Sequence, residues 1–311
     1  MPRKNWDRKD YGDVMSMKIS RGEKIARGVI YVILVLFSLL IIIPFWTILM
    51  TSFVTEAEIA RRGIFIMLPE EWNMDSYRIM LGRNSTIWRG YANTLFVVGV
   101  GTFLNLVFTI TLAYGLSKKH FKGRTLITGL IFFTMLFGGG LIPSYMLNRA
   151  LGLINSRWVL IIPGLIGTWN MFIMRNFFYA IPDSLEEAAF IDGANLFQCL
   201  VFIVLPLSLP AIATIGLFYA VGHWNSWFGA FIYIMDPQKF PVQNILRNII
   251  SSNNISDLNQ NISDFSLFAT PPPSAALRAA AVVACTVPIL VVYPFIQKYF
   301  VKGVMIGSIK G

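Results

Sequence analysis

The chain has 311 residues, of which 55% are hydrophobic and 14% charged, with a net charge of +10 and a mean hydropathy of +0.62. Soluble domains carry about 25% charged residues, so this composition excludes an ordinary soluble protein and favours a membrane protein. The basic residues flank long apolar runs and form no stripe interleaved with stacking aromatics, which argues against a nucleic-acid partner.

Long apolar runs predict the membrane-spanning helices. A hydrocarbon core about 30 Å thick needs roughly 20 apolar residues per helix. Six runs meet this need, at about 29–50, 92–116, 125–147, 158–178, 205–234 and 277–299. The first run follows a polar stretch and has no A-x-A-like cleavage site, so we interpret it as a true span. We therefore predict an all-α integral membrane protein with six transmembrane helices over residues 29–300.

The distribution of lysine and arginine predicts the orientation. Eight of these residues precede the first span and four follow the second. The loops on the other side of the membrane contain fewer lysines and arginines in total. By the positive-inside rule both termini are cytoplasmic, which assigns residues 1–28 to a cytoplasmic N-terminal segment and 301–311 to a cytoplasmic tail. Two long extracytoplasmic loops then remain, at about 51–91 and 235–276.

Residues 179–206, here called the hook segment, lie between spans four and five and are too polar at their start to cross a bilayer. Near its beginning the segment contains residues that favour the N-terminus of a helix, namely Pro182, Asp183, Ser184, Glu186 and Glu187. Leu185, Ala188 and Ala189 make a small apolar face at helical spacing. Gly193 permits a sharp bend before a second helix. On physical grounds alone this hook is either a surface connector or a docking element.

The hook segment resembles the EAA motif of binding-protein-dependent ABC importer permeases, which is E-A-A, three residues, Gly, nine residues and I-x-L-P. The matching positions are Glu187, Ala188, Ala189, Gly193, Ile203, Leu205 and Pro206. Residues 171–178, 181–182 and 192–194 extend the resemblance to the carbohydrate branch, which contains the smaller permease of the maltose importer. The run 138–143 and the long outer loop are similar to permeases for complex oligosaccharides, including uronate-type and plant-polymer fragments.

This resemblance implies a cytoplasmic coupling helix between spans four and five that seats in a separate ATPase subunit. Glu187 would be the charged contact, Ala188 and Ala189 the close-packing face, and Gly193 the turn. The residues expected to couple to the ATPase are Glu186, Glu187, Ala188, Ala189, Asp192, Gly193, Leu205 and Pro206. The tail at 302–311 resembles a family terminus that reaches between the ATPase subunits, although a frayed end is equally compatible with its sequence.

The resemblance also implies the partners. These are a second permease subunit, two cytoplasmic ATPase subunits, an extracytoplasmic sugar-binding protein that contacts loop 235–276, and an oligosaccharide moved inward across the bacterial cytoplasmic membrane. The branch usually pairs two different permeases, so we expect a heterodimer, and a homodimer stays open.

We expect no residue of this chain to catalyse a reaction. The sequence has no G-x-x-x-x-G-K-[ST] phosphate loop, so we expect no bound cofactor, with ATP and Mg²⁺ on the partner subunits. Cys199 and Cys285 form no C-x-x-C pair, and His120 and His223 are too few for a histidine metal site. We therefore predict no catalytic and no metal-binding residue.

A sugar pathway needs flat aromatic faces beside polar groups. Tyr219, His223 and Trp227 fall at i, i+4 and i+8 and would share one face of span five. The candidate pathway residues are Asn105, Asn170, Tyr219, His223, Trp224, Asn225 and Trp227. The alternative for the aromatic residues is packing near the outer interface, and for the amides it is ordinary hydrogen bonding between helices.

Other functions fit the sequence less well. A secondary transporter needs ionisable groups within its spans and often has interrupted helices in mirrored halves, and neither is evident. A channel needs a filter or a charged ring, and a membrane enzyme needs a catalytic constellation. An ABC permease for a solute other than sugar remains as the alternative.

Overall fold

The computed structural model describes residues 21–83, 85–251 and 274–308, and every regular element within them is helical. In chain order the α-helices are α1 (Arg21–Thr51), α2 (Glu56–Arg62), α3 (Asp75–Met80), α4 (Thr86–Ser117), α5 (Arg124–Leu136), α6 (Leu141–Ala150), α7 (Thr168–Tyr179), α8 (Asp183–Ile191), α9 (Leu196–Cys199), α10 (Leu205–Leu207), α11 (Leu209–Asn225), α12 (Phe228–Tyr233), α13 (Val242–Ser251) and α14 (Ser274–Ser308). Short 3₁₀ turns occupy Arg157–Leu160, Ile162–Gly164 and Pro237–Lys239, and a π-helical segment occupies Leu200–Val204.

Three helices are individually long and apolar enough to cross a membrane, and they match predicted spans one, two and six. They are α1, α4 and the Ala275–Val292 part of α14. The other three predicted spans are each broken into a bent pair of helical segments. The structure therefore contains up to six spans if each bent pair counts as one.

Spans three, four and five, each treated as one helix in the sequence analysis, contain sharp bends. In span three, α5 and α6 are bent by 117°, because a run of glycines ends at Gly140, whose φ of +83° starts α6 in a new direction. In span four, 3₁₀ turns around Pro163 precede α7 at 47°. In span five, the Leu196–Leu207 unit meets α11 at 83°, and the helix ends at Asn225 instead of continuing to 234.

The core forms where α4 packs against α7 and α11. Its fully buried side chains include Met171 and Met174 of α7 and Ile215 of α11. Gly216 lets α11 approach α4 closely, because a Cβ there would lie 3.2 Å from Leu106. Lipid is as apolar as these side chains, so tight packing of this kind, rather than escape from water, holds such helices together.

The helix α1 packs against α14 and leaves most of its apolar surface open. Leu40, for example, is 69% exposed. A helix that is apolar on all sides fits a lipid environment, since its backbone hydrogen bonds are all satisfied internally.

The two ends of α4 carry different parts of the chain. At its N-terminal end, Thr94 accepts a hydrogen bond from the Val242 amide at 2.9 Å, and Ile79, Ile87 and Leu277 share one apolar cluster. The described parts of loops 51–91 and 235–276 therefore meet at this end. At the other end, Lys118 pairs with Glu186 of the hook segment. The hook thus lies opposite the two predicted outer loops.

The segment before α4 is folded against the end of α1. The Trp46 indole donates to the Met67 carbonyl at 2.9 Å. Glu58 is buried, and its Oε1 accepts from Arg62 at 2.6 Å and from the Glu70 amide at 3.0 Å. These bonds make residues 51–83 an ordered cap on this end of the helices.

Candidate functional site

The hook segment folds as a helix, a bend and a second helix, as its sequence predicts. Pro182 precedes α8, and Asp192 is the residue that follows its last helical position, Ile191. Gly193 has a φ of +85°, in the left-handed region that favours glycine. Asn195 then caps α9 through a reciprocal capping box with Gln198 at 2.8 and 2.9 Å. Local sequence signals therefore fix both helix starts and the turn between them.

The adjacent acids Glu186 and Glu187 differ in burial, with Glu186 buried and Glu187 exposed. The Glu186 side chain is 10% exposed, and both of its carboxylate oxygens pair with the Lys118 ammonium. Tyr114 adds a hydroxyl donor 3.5 Å from Glu186 Oε2, and its ring lies 4.2 Å from the Lys118 Nζ. The sequence analysis included Glu186 among the residues expected to couple to the ATPase, and in the structure its carboxylate pairs with Lys118 of the same chain. One residue of helix turns a side chain by about 100°, which separates the two.

The outward face of the hook is mostly apolar and includes the carboxylate of Glu187. Glu187 and Ala188 are exposed, and Ala189 is partly buried. Ile191 is 87% exposed and Phe197, across the Gly193 bend, is 72% exposed. Large apolar side chains so exposed at the end of a helical bundle, beyond its apolar spans, are typical of a surface that a protein partner covers.

Leu205 and Pro206 lie away from that outward face. Leu205 packs against the core cluster, and Pro206 occupies the start of α10. The widened π-helical turn at Leu200–Val204 immediately precedes this proline. These two residues therefore join the hook to the core of the bundle, and Asp192 and Gly193 remain exposed at the bend.

A second ion pair lies at the rim of the hook. Lys119 Nζ is 2.7 Å from Asp183 Oδ2, and both groups are exposed. Hydrogen bonding to Lys119 holds the pKa of Asp183 below its ordinary value, and the same bond raises the pKa of Lys119. Lys118 and Lys119 thus bind the first turn of α8 at two neighbouring points.

Asn105 bridges three elements of the core. Its Nδ2 donates to the Gly164 carbonyl at 2.7 Å and the Leu165 carbonyl at 2.9 Å, in the broken span before α7. Its Oδ1 lies 2.7 Å from His223 Nε2, so His223 must carry its proton on Nε2 to donate this bond. Asn105 is fully buried. These bonds join α4, α11 and the broken span before α7.

Tyr219 has a similar bridging position. Its hydroxyl accepts from the Gly167 amide at 2.8 Å and pairs with Thr109 Oγ1 at 2.7 Å. Asn170 is partly buried on α7 close to Gly167. Tyr219, Thr109 and Gly167 are thereby joined by hydrogen bonds where α4, α7 and α11 pack together.

The expected face of Tyr219, His223 and Trp227 does not form as predicted. α11 ends at Asn225, and Ser226 is extended, so Trp227 leaves the helix before the third position is reached. Trp227 is 41% exposed and lies beside Phe231, over which the Arg247 guanidinium sits 3.8 Å from the ring centroid. Asn225 is exposed beside this group, whereas the partly buried Trp224 packs 6.4 Å from Tyr91.

Two residues of the hook's attachment escaped the sequence analysis. Lys118 was counted only as a topological charge, and Tyr114 was part of an apolar run. The signal available in sequence was a lysine at the end of a span, on the same predicted side as a helix opened by two acids. Only the packing of α4 against α8 identifies which acid it binds.

Comparison with known proteins agrees with this architecture. Residues 14–306 match the family described as binding-protein-dependent transport system inner membrane component. The chain is 45% identical to the protein LplC of Bacillus subtilis over 270 residues, covering 87% of this chain and 90% of that one. It is 42% identical to the polygalacturonan/rhamnogalacturonan transport system permease protein YtcP of Bacillus subtilis over 284 residues, covering 91% and 97%.

A solved structure has the same fold. It is a bacterial ABC transporter involved in the import of the acidic polysaccharide alginate, with a TM-score of 0.81 and 33% identity, covering 92% of this chain and 100% of that one. The family match extends over nearly the whole chain, including the hook segment. This protein therefore belongs to the inner membrane components of binding-protein-dependent transport systems, the permease subunits of ABC importers.

Proposed function

We propose that this chain is one of two permease subunits of an importer that moves oligosaccharides inward across the bacterial cytoplasmic membrane, with both termini in the cytoplasm. The observation that carries the proposal is that the hook segment is attached to the bundle on one side and exposed on the other. Glu186 binds the hook to α4 through Lys118, while Glu187, Ala188 and Ile191 face outward.

The outward face of the hook is the ATPase contact. Ala188 offers little side chain, so a partner groove can approach the α8 backbone, and Glu187 supplies one charge for an arginine or lysine there. Ion pairs to Lys118 and Lys119 attach the hook to the end of α4. A movement of the ATPase is therefore transmitted through these pairs to α4. Nucleotide and Mg²⁺ belong to the two ATPase subunits, and this chain binds no cofactor.

An oligosaccharide is the substrate class supported by the relatives, whose names include polygalacturonan, rhamnogalacturonan and alginate transport. At the end opposite the hook, Asn225, Trp227 and Arg247 combine an exposed amide, an aromatic face and a cation. This combination suits a sugar, and the arginine suits one with carboxylates. A non-sugar solute is the second candidate and a secondary transporter a third.

The remaining partners follow from the same arrangement. A second, different permease completes the pathway. An extracytoplasmic binding protein docks on loop 235–276, whose described part, residues 235–251, packs against the N-terminal end of α4. Deleting residues at about 250–264, which lie almost wholly outside the described residues, should abolish uptake and leave membrane insertion intact, and full uptake by that variant would reject this docking.

The test uses the assembled complex in lipid vesicles. This chain is co-purified with its partner permease, ATPase and binding protein, and ATP hydrolysis is measured against a panel of neutral and acidic oligosaccharides. We expect stimulation by one sugar class. Glu187→Ala should lower that stimulation roughly tenfold, the effect of losing one charged hydrogen bond. Glu71→Ala, an exposed acid on the opposite side, is the matched control.

Three outcomes would separate the candidates. A complex that hydrolyses ATP but ignores every sugar would reject the carbohydrate substrate and keep the permease. Equal effects of Glu187→Ala and Glu71→Ala would reject the hook as the contact. Failure of any ATPase to associate would reject the coupling role altogether.

A further inference from the structure

A cavity of about 370 Å³ lies between α5 and α7, beside the hook segment but outside its contacts. Its lining residues are Arg124, Thr125, Thr128, Gly129, Phe132, Phe172 and Arg175. Arg175 places it at the hook end of the bundle, because its Nε donates at 3.0 Å to the carbonyl of Leu116 near the end of α4. No part of the proposed transport function uses this cavity.

The cavity contains unsatisfied hydrogen-bond donors. Arg124 Nη1 and Thr128 Oγ1 are enclosed, and among the described residues neither atom has a hydrogen-bond partner. A buried polar group without a partner is costly, and a charged one more so. The described ion pairs nearest in the fold join Lys118 to Glu186 and Lys119 to Asp183, and they leave out both Arg124 and Arg175. Two guanidinium groups therefore share this cavity without an anion.

The start of α5 adds to the positive field. Arg124 is the first residue of this 13-residue helix, whose N-cap Gly123 has no side chain to bond the first amides. The first bond of the helix runs from the Ile127 amide to the Gly123 carbonyl, so the amides of Thr125 and Leu126 precede the hydrogen-bonded ladder. Helix N-termini of this kind favour anions.

The rest of the cavity is apolar and leads along α5 away from the arginines. Phe132, one turn beyond Thr128 on α5, meets Phe172 of α7 edge to face at 6.3 Å. The outer surface of α5 is apolar as well, with Leu126, Leu130 and Phe133 exposed. A sugar would find few hydroxyl partners on these aromatic walls. A headgroup followed by an acyl chain matches a site that is cationic at its membrane-surface end and apolar further in.

We propose that this cavity binds the phosphate of an anionic phospholipid headgroup, with Arg124 and Arg175 as its cationic ligands and Thr128 as a further donor. The first acyl segment lies along Gly129, Phe132 and Phe172. Basic pockets between helices on the cytoplasmic side are typical sites for anionic headgroups. The site requires membrane insertion only and does not depend on which solute is transported.

The experiment measures lipid retention by native mass spectrometry of the assembled, detergent-purified complex. Phosphatidylglycerol is added in steps, with phosphatidylcholine and inorganic phosphate as separate probes. We expect phosphatidylglycerol to be retained in preference to phosphatidylcholine. Arg124→Gln should weaken that retention about tenfold, the worth of one charged hydrogen bond, and Thr128→Val should weaken it less. Lys122→Gln removes an exposed cation next to the cavity and should change nothing.

Four results would overturn the proposal. Retention unchanged in both Arg124→Gln and Thr128→Val would place the lipid elsewhere. Equal retention of the two lipids would remove the role of headgroup charge. Displacement of the lipid by inorganic phosphate would make this a free-phosphate site. Retention by this chain alone, lost when the second permease assembles, would mean that an acidic side chain of that permease fills the cavity.

Discussion

Lys118, at the end of α4, binds both carboxylate oxygens of Glu186, which lies 68 residues later in the chain. The pair is largely enclosed, with the glutamate side chain 10% and the lysine side chain 28% exposed. Tyr114 packs on the lysine and donates to the glutamate. This contact fixes the hook segment to the end of α4.

Breaking this pair should uncouple ATP hydrolysis from transport. Glu186→Gln leaves Lys118 partly buried without its counter-charge, and we expect a loss of roughly 1–3 kcal/mol, between exposed and buried pairs. Thermal unfolding in detergent measures that loss, and the ratio of solute moved to ATP hydrolysed measures coupling. The reversed pair Lys118→Glu with Glu186→Lys should recover part of both. A double variant no better than either single variant would show that the charges are not paired.

Gly193→Ala should strain the bend of the hook without a steric clash. A Cβ at this position meets nothing within 4 Å, so the whole effect comes from a φ of +85°. We expect a destabilisation of about 1 kcal/mol and weaker ATPase association, measured by co-purification. Gly193→Asn should be milder because Asn tolerates this region better. An alanine variant that binds the ATPase normally would contradict the role of this turn.

The Lys119–Asp183 pair should be insensitive to pH over the physiological range. The lowered pKa of Asp183 means that its contribution is fully present above the ordinary value of 3.8 and is lost as the pH falls through the lower folded value. The raised pKa of Lys119 means that its contribution is fully present below 10.5 and is lost above. The stability difference between the protein and Asp183→Asn, from thermal unfolding, should therefore stay constant from pH 5 to 9. A step within that interval would disprove the pairing.

Asn105→Leu should destabilise the protein while leaving substrate recognition intact. The change removes hydrogen bonds to Gly164, Leu165 and His223, which we expect to cost about 1–2 kcal/mol within the bilayer. Asn176→Leu, at an exposed amide of α7, is the matched control. Uptake should show an unchanged half-saturation concentration in both variants. A selective rise in that concentration for Asn105→Leu would make Asn105 a substrate contact.

Trp227→Ala should affect uptake rather than stability. Its ring is 41% exposed beside Phe231 and Arg247, so its loss removes little packing. We expect the half-saturation concentration for oligosaccharide uptake to rise about two- to tenfold, as for one lost aromatic contact. Trp72→Ala removes a tryptophan at the same end that is more exposed, at 63%, and should have no such effect. If both variants behave alike, Trp227 is not part of the pathway.

The sequence by itself determined the class of protein and the local form of the hook. Apolar runs of about 20 residues form helices in a bilayer, because a helix satisfies its backbone hydrogen bonds within one continuous segment. Pro182, Gly193 and Asn195 influence only the backbone a few residues away. The local sequence is therefore enough to predict the first helix of the hook, the bend and the second helix. The EAA spacing identified the family that the comparisons then established.

The tertiary structure alone decided which side chains meet. Average hydropathy does not reveal whether a glycine or proline in an apolar run ends the helix, so three spans predicted as continuous are broken. Trp227 left its expected face because α11 ends at Asn225 and Ser226 is extended. Glu186 and Glu187 have the same chemistry and adjacent positions. Their roles separate only because α8 packs on α4 with one of them towards Lys118, and that contact depends on residues far apart in the chain.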